Sequence, residues 1–331
     1  MGEGALIGEL AALTAAFWWA AATLMFGKLG QTLSPLVLNL VKGLFAIAFL
    51  LLTLAVQAAI QGPLSAGSQG LPIRSAIYLV LSGGLGIGFG DTAYFAAINT
   101  LGARRALLLE TLAPPMAAIL AWIFLTEQLS FRAIAGIVIT LVGIAWVISE
   151  RVPGTSKATV GAGVRMALLA TFCQASGAVL SRAALADVAV QPLLSSLIRL
   201  IAGLAFMVIL WGLRLPYLLT ERSSPDRSSP DRSSPNRLLE QDSWASTVSA
   251  LKSPRILATV AITSFFATYL GIWLQQISLK YTAAGIAQAL LATSPLFVLP
   301  MAAILGEKIS WRSLAGVAIA LGGIWLLLYA A

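Results

Sequence analysis

Four ionisable side chains stand inside long apolar runs, away from the run ends: Lys42, Asp91, Glu110 and Arg199. Burying such a group unpaired in apolar surroundings is costly, so each is a candidate for binding or for proton transfer. Lys42 lies about two turns from the start of its run, Asp91 about two turns from the end of the next, and Glu110 about two turns from the start of the one after. At 1.5 Å per residue the three share a depth of roughly 10 Å from one boundary. One cation facing two carboxylates leaves one acid without a counter-charge. Low-dielectric surroundings disfavour its ionised form, which makes that acid a candidate proton carrier. Glu110 is favoured for the role, because Pro114 and Pro115 free nearby backbone carbonyls and loosen its run. Asp91 would then pair with Lys42. The planar guanidinium of Arg199 suits bidentate anion binding and would clamp a carboxylate or phosphate of a substrate. In the competing reading the two bases snorkel to the boundary and the acids bond to neighbouring helices.

Aromatic and amide residues deep in the runs are further candidates to line a cavity: Trp18, Trp19, Asn39, Tyr94, Gln174, Tyr269, Trp273 and Gln288. The alternative for each is interhelical packing or hydrogen bonding. Other chemistry is excluded by composition. Cys173 is the single cysteine and histidine is absent, which removes intrachain disulfides, Cys/His metal sites and Ser–His–Asp triads. The glycine run from Gly83 to Gly90 resembles a nucleotide loop, but it lies inside an apolar run with no preceding strand. Close helix packing or a flexible helix explains it better, and no nucleotide-hydrolysis motif is present. Asp91 and Glu110 as the acid–base pair of an intramembrane enzyme are disfavoured by the missing ligands and by the duplication described below.

The elements that position these residues follow from composition. The chain is 59% hydrophobic and 10% charged, with a mean hydropathy of +0.90, values that belong to a polytopic membrane protein. About 20 apolar residues cross a bilayer as a helix. Ten such runs are expected, at 5–26, 35–60, 74–98, 103–125, 131–149, 160–181, 192–213, 255–279, 283–305 and 311–330. They are continuous rather than alternating, which predicts helices and not a barrel. Glu3 and Glu9 replace the basic start of a secretory signal, so the first run is expected to be retained. The net charge of +8 sits mostly between runs, where it reads as orientation signal and headgroup anchor rather than as a nucleic-acid footprint.

The chain is also duplicated. Residues 103–148 and 283–328 match at a constant offset of 180: Pro115 with Pro295, Glu127 with Glu307, Arg132 with Arg312, Gly136 with Gly316 and Gly143 with Gly323. Earlier in the units the offset is 157, pairing Pro35 with Pro192 and Lys42 with Arg199. The difference is an insertion of 23 residues around the Ser/Pro/Arg repeat at 222–237, inside a loop of about 214–254 that is expected to be disordered. That repeat reads as a tandem expansion in a tolerant loop, or as a docking tail. Five spans per unit, an odd number, force tandem copies to cross the membrane in opposite directions. The expected fold is therefore an all-α membrane protein, ten transmembrane helices in two inverted five-helix repeats, 1–150 and 160–331. Glu127, Arg132, Glu307 and Arg312 would tie the short turns of its helical hairpins.

The repeated Pro115…Glu127…Arg132…Gly136 and Pro295…Glu307…Arg312…Gly316 blocks, with Gly90-Asp91…Leu101-Gly102-Ala103, resemble the ten-helix EamA-type members of the drug/metabolite transporter superfamily. The resemblance implies a secondary transporter that exports or exchanges a small polar metabolite, amino-acid-like or drug-like, by alternating access. It implies a multi-pass protein of the plasma (inner) membrane that needs no cofactor. Its partners would be a small-molecule substrate and membrane lipid, not nucleic acid, with a homodimer left open. It also implies cytoplasmic termini, whereas Lys and Arg concentrate in the loops after odd-numbered spans and by the positive-inside rule put both termini outside. A membrane scaffold or sensor docking through 222–237, and a flippase of lipid-linked precursors, are the alternative functions.

Overall fold

The structure, a computed structural model, describes residues 3–30, 32–61, 71–125, 131–148, 157–185, 190–212, 251–304 and 310–328. Every regular element among them is helical. Helices α1 (Glu3–Leu29) and α2 (Pro35–Gln61) come first. Next, α3 (Ile73–Ser82), a first π-helical segment (Gly83–Gly90) and α4 (Asp91–Leu101) form one rod, ended at Gly102, whose φ of 81° favours glycine. Then come α5 (Ala103–Glu110), α6 (Ala113–Leu125) and α7 (Phe131–Ile148). The second half repeats the order. It has α8 (Lys157–Leu185), α9 (Pro192–Gly212), α10 (Pro254–Thr263), a second π-helical segment (Ser264–Leu270), α11 (Gly271–Tyr281), α12 (Ala284–Leu291), α13 (Ser294–Ile304) and α14 (Trp311–Leu328). Pro35 and Pro192 each open their helix, where a missing N–H costs nothing.

Seven stretches among the described residues are long and apolar enough to cross a bilayer: Leu6–Leu29, Pro35–Ile60, Ile73–Leu101, Arg105–Leu125, Val160–Leu185, Pro192–Ile209 and Pro254–Tyr281. The other expected runs correspond to α7 and α14, 18 residues each, and to the α12–α13 pair, of 8 and 11 residues. Large apolar side chains such as Leu52, Ile60, Phe131 and Ile304 face outward, as they do where lipid is the solvent. The interior is built from small residues; Ala12, Ala15, Ala16 and Ala20 form a fully buried stripe on α1 that lets α11 approach closely. The loop 222–237, Glu127 and Glu307 lie outside the described residues. Arg312 stacks over Trp146, 5.2 Å from the ring centroid, and so links α14 to α7.

Two departures from the expected helices recur in both halves. The runs at 103–125 and 283–305 are each interrupted, at Thr111-Leu112 and at Ala292-Thr293. Proline is the cause: Pro114 and Pro115 cannot donate to the carbonyls four residues back, and Pro295 is the equivalent of Pro115. The chain tightens instead, with Thr111 N–H on Leu108 O at 3.1 Å and Thr293 N–H on Leu290 O at 3.2 Å. The π-helical segments also correspond, since Gly84–Gly90 shifted by 180 is Ser264–Leu270. Each is braced at the equivalent carbonyl. Asn39 Nδ2 donates to Ile87 O at 2.8 Å, and Trp19 Nε1 donates to Ala267 O at 2.7 Å.

Packing between the halves is reciprocal. α1 packs on α11 while α8 packs on α4; α2 packs on the second π segment while α9 packs on the first. A side chain at Gly83 would strike the Arg199 backbone, and one at Gly203 would meet Ile87 and Gly83, so the glycine run serves close approach of α9. At the α7–α14 crossing, Gly143 abuts Gly316 and Ala320 while Gly323 abuts Gly136 and Thr140. These are the same contacts with the two halves exchanged, a property of two-fold-related surfaces.

Candidate functional site

Asp91 is the first residue after the first π segment, so the widened turn sets the direction of its side chain. Its Oδ2 pairs with Lys42 Nζ, and its Oδ1 accepts from Gln174 Nε2 at 3.0 Å. The ammonium also sits over the Phe95 ring, 5.1 Å from its centroid. Lys42 is 4% exposed, and the side chains of the pair are largely buried within the helix bundle. A buried pair of this kind is held by its remaining hydrogen bonds, and Gln174 supplies one.

Glu110 is the last residue of α5, at the proline-induced break. Its carboxyl interacts with the Tyr94 hydroxyl. Tyr94 also lies 3.3 Å from Thr23 Oγ1, which ties α4 to α1. Lys42 is committed to Asp91, and among the described residues no cation lies within ion-pair distance of Glu110.

Arg199 is 1% exposed. Its Nη1 donates to Gln275 Oε1 at 3.1 Å, its Nε has no acceptor, and no carboxylate among the described residues lies within ion-pair distance. The two cations occupy equivalent places: Lys42 meets Phe95, and Arg199 meets Gln275, the residue 180 positions after Phe95. The second half keeps the cation and drops both acids, with Gly271 and Leu290 at the places of Asp91 and Glu110.

All four ionisable groups line one cavity of about 70 Å³, and Trp19, Tyr94 and Gln174 line it with them. An adjoining cavity of about 30 Å³ is reached past Trp19, Glu110, Gln174 and Gln275, and Gln288 faces it. Together they have room for a few water molecules, well below the ~300 Å³ of ordinary metabolite sites.

Four further candidates are placed elsewhere. Trp18 stacks on Phe266 with centroids 4.1 Å apart, and Asn39 braces the first π segment. Tyr269 bonds Thr53 across 2.8 Å and Trp273 leans on Tyr269. Conversely, Thr23, Phe95 and Gln275 line the cavity without having been singled out. Gln275, beside Gln276 in the middle of an apolar run, did carry a signal in the sequence; Phe95 carried none. Among the described residues no cluster of His, Cys, Asp or Glu is arranged to hold a metal ion.

The model of the EamA-like transporter family matches residues 6–149 and 234–329 of this chain. One solved crystal structure of a protein aligns with a TM-score of 0.63 at 16% identity, covering 98% of this chain and 97% of that one; at that identity the likeness is one of fold. No curated protein matches the chain.

Proposed function

The chain belongs to the EamA-like transporter family and is a multi-pass membrane transporter, and from that premise we propose a secondary carrier that exports or exchanges a small polar metabolite by alternating access, coupled to a proton on Glu110. Ten transmembrane helices in two inverted five-helix repeats would form it, in the plasma (inner) membrane. The reciprocal packing of the two halves, their matching π segments and their matching breaks support that arrangement. The observation that carries the reading is the cavity at their junction, where Lys42, Asp91, Glu110 and Arg199 meet. Buried charges at the junction of inverted repeats mark a cargo path in carriers of this design.

The proton role falls to Glu110 because Asp91 is already neutralised by Lys42. The break after Glu110 supplies the local freedom a gating element needs. A larger groove of about 330 Å³ between α1 and α13, lined by Leu24, Met25, Lys28 and Met301 among others, shares no residue with the charged cavity and gives no support to a flippase. The test is flux of amino acids and other small metabolites in proteoliposomes, with and without a pH gradient. In wild type the gradient should drive a steady-state accumulation of about tenfold per pH unit if one proton moves with each cargo and no net charge crosses, and Glu110→Gln should be indifferent to it. Gradient-insensitive flux in wild type would refute the coupling.

A further inference from the structure

Arg199 is a buried guanidinium with no carboxylate within ion-pair distance among the described residues, in a cavity where Lys42 is already matched by Asp91. Glu110 shares its cavity with Asp91 and Tyr94 from α4, Lys42 from α2 and Arg199 from α9. The contributions of α1, α8 and α11 are uncharged, and α7 and α13 place no ionisable side chain in either cavity. Asp91 and Lys42 cancel. The remaining balance is Arg199 against Glu110: neutral when the carboxyl is ionised, one positive charge when it is protonated. Net charge in a low-dielectric site is penalised. With Glu110 ionised, the site is neutral when empty or when it holds a cargo of no net charge; once Glu110 carries the proton, neutrality calls for one monoanion.

From this balance we infer that the cargo is a compact organic monoanion whose carboxylate seats on Arg199 and which enters together with one proton. The inference rests on the carrier reading above. The free donors agree with it: Arg199 Nε has no acceptor, and neither does Gln288 Nε2 in the adjoining cavity. A guanidinium fork matches a carboxylate edge. In a proton-coupled cycle a zwitterion fits worse, because both oxygens of Asp91 are taken by Lys42 and Gln174 and a protonated Glu110 would offer its ammonium no anion. A phosphate dianion would overshoot the balance by one charge. A cavity of about 70 Å³ favours a compact cargo.

The experiment titrates the purified full chain with acetate, lactate and pyruvate, and in parallel with alanine, ethanolamine and inorganic phosphate. Isothermal titration calorimetry reports binding and a pH indicator reports proton exchange. At least one monocarboxylate should bind with uptake of one proton per anion, its Kd weakening about tenfold per unit rise in pH above the titration of Glu110 in the empty carrier. Arg199→Gln should weaken that binding by at least about tenfold. Should that variant not fold, Arg199→Lys, which keeps the charge and loses the fork, should still weaken it severalfold. Glu110→Gln should bind without proton uptake and with a Kd indifferent to pH. The inference is overturned if no monocarboxylate binds, if only alanine, ethanolamine or phosphate does, or if binding ignores the change at Arg199. Gradient-driven flux of a zwitterion or cation, abolished in Glu110→Gln, would overturn the anion and keep the carrier. Monocarboxylate binding with no flux would keep the anion site and overturn the carrier.

Discussion

Lys42 and Asp91 neutralise each other inside the membrane, and the chemistry of the cavity depends on that bond holding. Removing one partner leaves an uncompensated buried charge, so Lys42→Met or Asp91→Asn alone should destabilise the fold by about 3–5 kcal/mol. The double variant should recover most of that loss, because neither charge is then stranded, yet its flux should stay low. Thermal unfolding in detergent, with flux measured alongside, separates the two effects. Equal losses in single and double variants would show that the pair does not act as a unit. The four charges were legible in the sequence because an ionisable residue in an apolar run stands out against everything around it. Phe95 was not, since an aromatic in a membrane helix is unremarkable until an ammonium is seen above it. Trp18, Tyr269 and Trp273 were chosen by depth alone; depth along a helix that is apolar on every side does not say which way a ring points.

At the scale of elements, two irregularities position the site. The π segments place Asp91 and Gly271 at equivalent points and present the carbonyls of Ile87 and Ala267 to Asn39 and Trp19. Hydrogen-bond register within a helix leaves no mark in hydropathy, which is why the sequence predicts plain helices there. The proline breaks were half legible: Pro114-Pro115 announces trouble near Glu110, but not that α5 ends on that residue. Pro114→Ala would return an N–H to face the Glu110 carbonyl. The expected result is a more stable and slower carrier, with unfolding harder by about 1–3 kcal/mol and turnover reduced severalfold. Unchanged turnover with raised stability would mean that the break is structural and not part of gating.

For the whole molecule, the duplication was legible from residue identities at fixed offsets, and five spans per unit, as proposed, would require opposite orientations. The reciprocal contacts of Gly143 and Gly323 agree with a two-fold relation between the halves. Ser34 and Gln191 precede the paired prolines that open α2 and α9. With Cys173→Ser as background, single cysteines at these two places should react with impermeant reagents from opposite sides of the membrane. Labelling from the same side would mean that the halves run the same way up. The most direct test of the carrier itself places one cysteine at Thr23, which lines the charged cavity and is 3% exposed. Impermeant thiol reagent is applied to either face of sealed vesicles across a range of pH. Alternating access predicts slow modification from both faces, in proportions that shift with pH. Modification from one face alone at every pH would contradict it.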